Sequence, residues 1–151
     1  MNSIFKSICT LIFFSLILTG TAFAGDDMKG HDMSSSDKIG TLFHESKVDG
    51  FMLSYYLMDL RDQKADDKKD MDKPHHIMVY IMDKTHAPVL KGTVGFMIKD
   101  DQGTPQKAMA MYMSKGFGIT ADMKKKGVYS ITAKALLGDV KIVDSFTHEM
   151  K

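Results

Sequence analysis

Met109, Met111 and Met113 stand at alternate positions in QKAMAMYMSKGFG, residues 106–118. In a strand every second side chain shares a face, so this spacing lines up three thioethers. Thioether and imidazole donors select copper, Cu(I) above all, whereas carboxylate sets suit calcium or magnesium. The chain has 14 methionines and six histidines. Met33 follows His31 by two residues, Met78 follows His76, and Met150 follows His148. At about 3.3 Å per residue, two neighbours in the row can converge on one ion but three cannot. A complete site therefore needs a donor from another strand or from a chain end. The candidates are Met97, Met78, His76, the pair His148 and Met150, and the pair His31 and Met33.

The same residues have a plainer reading. Methionine fills irregular cores and also builds adaptable docking surfaces, and a single His-x-Met match is weak as a motif. The row is a core face, a ligand set or a docking surface. Methionine outside a core is open to oxidation in an exported protein, so its repeated exposure would have no packing reason. His44 and His86 have no nearby methionine and read as structural or solvated.

Cys9 is the one cysteine. It lies within an apolar run that follows Lys6 and ends in TGTAFA, the pattern of a secretory leader over 1–24 cleaved after Ala24. A cysteine-free mature chain excludes disulfides, thiolate zinc sites, iron–sulfur clusters and blue-copper sites. Beyond Lys6, 19 cations meet 19 carboxylates, so charge gives no reason to expect nucleic acid or an anionic membrane as partner. No other segment is long enough to span a membrane. The expected location is the periplasm, as an exported soluble protein.

Residues 25–38 are small, charged and polar, with no apolar period, and read as a flexible His/Met-containing tail. From 39 to 151 short apolar runs alternate with Gly, Asp and Pro turns, the pattern of an all-β sandwich or barrel. Strands are expected near 40–47, 51–60, 75–83, 92–99, 107–113, 117–123, 128–136 and 140–147. Val94, Phe96 and Ile98 form one core face, as do His75, Ile77, Val79 and Ile81. Tyr129, Ile131, Ala133 and Ala135 form another, continued by Val140, Ile142 and Phe146. Met97, Met78 and Met82 then fall on opposite faces. The charged segment 61–73 reads as a solvated loop, since lysines interrupt any calcium-loop spacing.

The segment GVYSITAKALLGDVKIV, Gly127 to Val143, has a Gly-x-Tyr strand opening, a second turn at Gly138 and an alternating final strand. With the leader and a Met-rich strand before it, this resembles the YtkA-like family of small exported domains. The resemblance implies an all-β, immunoglobulin-like antiparallel β-sandwich of about 7–9 strands, in a family considered in connection with copper or respiratory assembly. It carries over no ligand set. Asp139 stands where the family often has tryptophan.

No protease, hydrolase-elbow or phosphate-loop signature is present, so no enzymatic activity is expected. The leading expectation is a periplasmic copper-binding protein, holding Cu(I), and Cu(II) through His, as buffer, chaperone or resistance factor. It would exchange the ion with a periplasmic or membrane metal-transfer partner. The alternative is a metal-free exported module that binds a partner protein through its Met-rich sheet face.

Overall fold

A computed structural model describes residues 37–62 and 71–151. The expected leader, His31, Met33 and most of the expected tail lie outside the described residues, as does most of the charged loop. Nine strands follow in order: β1 Thr41–Val48, β2 Phe51–Asp59, β3 His75–Met82, β4 Thr93–Lys99, β5 Pro105–Met109, β6 Met111–Met113, β7 Gly116–Ala121, β8 Gly127–Leu137 and β9 Val140–Met150. A 3₁₀ turn, Leu60–Asp62, follows β2.

The strands form two antiparallel sheets, one ordered β1-β2-β3-β7-β6 and the other β5-β4-β8-β9. From β2 onward this is the immunoglobulin pairing, with β2-β3-β7-β6 in the place of A-B-E-D and β5-β4-β8-β9 in that of C′-C-F-G. The all-β immunoglobulin-like sandwich is thus the observed fold, with β1 added as an extra edge strand.

Local chemistry explains the hairpins. Asp49 and Gly50 both take positive φ, 50° and 84°, the mirror-image turn whose twist matches two antiparallel strands. Val48 and Phe51 close it as a pair. Ser114 and Lys115 also take positive φ, 47° and 63°, and fold β6 tightly back on β7.

Between the sheets lie Leu53, Tyr55, Ile77, Val79, Val94, Phe96, Ile98, Phe117, Ile119, Ile131 and Ile142, all buried. They are alternate residues of their strands, as a sandwich core requires. The central strand β3 is buried along both faces except at Met82. Its outer face forms a second small cluster of Tyr56, Met78 and Tyr80, against which Ile39 and Met113 pack. Ile39 N–H donates to the Tyr80 hydroxyl at 2.9 Å, and the Lys38 ammonium stands 5.2 Å from the Tyr56 ring centre and 5.6 Å from that of Tyr80. This cation–π contact places the last residue of the expected tail against the domain.

Three expectations need correction. The methionine row is not one strand over 107–113. Ala110 N–H still donates to Val94 C=O of β4 at 2.8 Å, and the chain then crosses so that β6 begins at Met111 in the other sheet. Strands turn sandwich corners in this way. The C-terminus is not a free end either, because β9 pairs with β8 as far as Met150 opposite Gly127. Finally, Val140 is exposed rather than inward, standing in the closing pair of the β8–β9 turn.

Candidate metal centre

Register decides what the split row faces. Met109 stands opposite Gly95, Met111 opposite Gly118, and Met113 opposite Gly116. Directly paired residues share a face of the sheet. Each thioether is therefore set beside a strand position with no side chain to displace it. Met109 and Met111 are 65% and 66% exposed, which rules out core packing for those two; Met113 is half-buried.

On the other side of β7, β3 leans over the same glycines. Gly118 also pairs with Met78, and Thr120 with His76. A Cβ added at Gly118 would lie 2.5 Å from Met78 Sδ and 3.0 Å from His76 Nε2. The sulfur and the imidazole nitrogen thus converge on one point, and their separation cannot exceed the sum of those distances. A Cβ at Gly116 would lie 2.9 Å from the Tyr80 ring. Gly118 lies in the floor of a cleft of about 290 Å³ lined also by His76, Met109, Met111 and Met113. Met78 Sδ borders its floor, with the Met78 side chain itself fully buried.

His76 is 9% exposed. Burial holds its pKa below the ordinary histidine value of 6.5, opposed in part by a hydrogen bond with the Ile119 backbone. A neutral imidazole is the form that binds metal. Among the described residues no carboxylate lines the cleft, and the charged residue lining it is Lys73. Among the described residues no three His, Cys, Asp or Glu side chains gather as a metal cluster. One neutral imidazole among thioethers fits a soft monovalent ion such as Cu(I) and offers nothing to a hard one.

The structure therefore unites His76, Met78, Met111 and Met113, with Met109 at the rim. It separates the others. Met97 lies on the outer face of the second sheet, diagonal to Met109. His148 and Met150 lie on β9, at the opposite edge of that sheet from β5, and cannot join the cleft. His148 packs edge-on to Phe43 with ring centres 4.8 Å apart, and Met150 packs against the main core. Their His-x-Met spacing is strand alternation serving packing.

The remaining described histidines have structural roles or turn positions. His75 Nδ1 accepts from Met123 N–H at 3.2 Å, so its proton sits on Nε2, 3.8 Å from Asp59. His44 stacks on Phe146 at 3.8 Å between ring centres. His86 sits at positive φ in a turn. Sequence reasoning missed the glycines. Their signal was present in Gly116-Phe-Gly118, whose spacing of two leaves one strand face bare.

Among the described residues no helix is long and apolar enough to cross a membrane. No protein-family model matches the chain, and neither does any curated protein. Solved structures do resemble it. FetP of uropathogenic E. coli, recombinantly expressed in the periplasm, superposes with a TM-score of 0.57 at 12% identity, over 72% of this chain and 93% of FetP. A DUF4426 family protein from Pseudomonas aeruginosa PAO1 gives 0.55 at 15% identity, over 72% and 96%. A copper-bound variant of Campylobacter jejuni P19 gives 0.51 at 12% identity, over 72% and 96%. A variant of FetP is likewise known bound to copper. At such identities the likeness is one of fold.

Proposed function

We propose that this chain is an exported, non-enzymatic copper-binding protein that holds Cu(I) between His76 and the thioethers of Met78, Met111 and Met113. The observation that carries this reading is the convergence of Met78 Sδ and His76 Nε2 over Gly118, with Met111 paired to that same glycine from the other side. Copper-bound proteins of the same fold add support, as does the leader-like N-terminus for a periplasmic location. Thioethers are weak neutral donors that can be exchanged one at a time, which suits buffering and transfer to a partner more than permanent retention.

The test is a Cu(I) titration of the protein against a competing chelator. Wild type should withdraw one ion. His76→Ala and the double variant Met111→Leu, Met113→Leu should each lose most of that affinity, while His148→Ala should keep it. If wild type takes up no Cu(I), a metal-free docking module becomes the better reading.

A further inference from the structure

Met109 borders two clefts. One is the His76 cleft. The other, about 380 Å³, lies on the outer face of the second sheet and is lined by Met97, Met109, Gly95, Lys107 and Lys134. The Met109 thioether is turned toward this second cleft, since a Cβ at Gly95 would lie 3.3 Å from its sulfur. Met97 and Met109 are diagonal neighbours on that face, within reach of long side chains. Because the chain crosses from sheet to sheet at Ala110, Met109 and Met111 stand on either side of a single residue at the corner of the sandwich.

We propose that Met97 and Met109 form a second, outer station for a soft monovalent ion, and that Met109 passes the ion around the corner to Met111 and so to His76. This rests on the reading of the His76 cleft as the principal site. The step is a ligand exchange at constant charge. As Met109 turns, the Met111 thioether takes up a bond to the ion while Met97 releases one, and no electron or proton moves.

The two stations differ as an entry and a store should. The outer one has two thioethers, no imidazole and two flanking ammonium groups, which keep its hold weak and its exchange fast. The inner one adds a neutral imidazole and the fully buried Met78. Methionine has three rotatable side-chain bonds, and one so exposed is free to change rotamer on the ps–ns scale.

The experiment is a titration of the full chain, isotopically labelled at its methionine methyls, with Ag(I) as a diamagnetic stand-in for Cu(I), followed by NMR. The first equivalent should move the Met78, Met111 and Met113 methyls, and excess should move Met97 and Met109 together in fast exchange. The variant Met97→Leu should keep the first equivalent, lose the second, and load about tenfold more slowly. Met97 and Met109 methyls that stay still in excess Ag(I), while Met111 and Met113 respond, would overturn the outer station and leave the His76 site standing. Equal loading rates in variant and wild type would overturn the transfer path. Silence at Met111 and Met113 would remove the His76 reading and this inference together.

Discussion

The two lateral edges of the sandwich hold similar residue types and use them in opposite ways. At the β6 edge, His76, Met78 and Met111 gather around Gly118 beside an open cleft of about 290 Å³. At the β1–β9 edge, His44, His148 and Met150 are packed among Phe43, Tyr55 and Phe146, with His44 Nε2 3.9 Å from the buried carboxylate of Asp144. Asp144 also accepts a hydrogen bond from Ser46 Oγ at 2.5 Å, tying the last strand of one sheet to the first strand of the other. Donor chemistry alone does not make a site. What separates the edges is whether neighbouring positions leave room for an ion or fill it with rings.

The largest effect should come from exchanging the histidines between these roles. His76→Ala should weaken Cu(I) binding by more than the roughly 10–100-fold that losing a mere supporting contact costs a metal site. His148→Ala should leave copper affinity unchanged and lower the unfolding midpoint instead. Chelator competition and thermal unfolding of both variants measure the contrast directly.

Gly118→Ala should come next. Its methyl would meet Met78 Sδ and His76, so overpacking should cost about 1–3 kcal/mol of stability and displace the two donors. Gly103→Ala, with open space at its Cβ but positive φ, is the control for backbone strain without crowding. Equal copper affinity in Gly118→Ala and wild type would show that the glycine floor is not what forms the site.

A pH series separates the edges in a third way. Burial depresses the pKa values of His75, His76 and His148, so below about 6.5 the unfolded chain binds more protons than the native one. Stability should therefore be fully present above pH 6.5 and be lost as pH falls through the lower native values. Cu(I) bound to His76 keeps its proton off, so the difference in bound protons persists below the native pKa and the acid loss should be larger with copper bound. His76→Ala should abolish that copper-dependent difference, and His148→Ala should not.

Two smaller effects complete the comparison. Among the described residues the buried Tyr55 hydroxyl meets no partner in good hydrogen-bond geometry, and burial, then the neighbouring Asp144 carboxylate, push its pKa far up. Tyr55→Phe should be neutral or stabilising by up to about 1 kcal/mol in denaturant unfolding. Among the described residues Lys73 is the one cation lining the His76 cleft. Removing its exposed, solvent-screened charge in Lys73→Ala should tighten Cu(I) binding by only about two- to threefold.

Much of this architecture was legible in the sequence because alternation is a local property. Val94, Phe96 and Ile98 could only face inward, and that sufficed to turn Met97 outward. Met109, Met111 and Met113 carried the right alternation, but a period of two is the same whether a strand runs on or changes sheets. The change of sheet between Ala110, still bonded to Val94, and Met111, paired with Gly118, is set by partners distant in sequence, which no local pattern encodes. Met78 was expected on the outer face and is there, yet fully buried, because Ile39 and Tyr56 from other segments join Tyr80 of its own strand in covering that face. Asp144 shares the inward parity of Ile142 and Phe146, but a carboxylate there makes sense only once Ser46 and His44 are known to meet it from a strand almost a hundred residues earlier.

X-ray absorption at the copper edge of the Cu(I)-loaded protein tests the central claim most directly. The open edge should give a mixed first shell, several thioether sulfurs with one imidazole nitrogen, and the nitrogen should disappear in His76→Ala. A shell of nitrogen and oxygen alone, or one unchanged by that substitution, would mean that copper is not held between the glycine-floored methionines and His76.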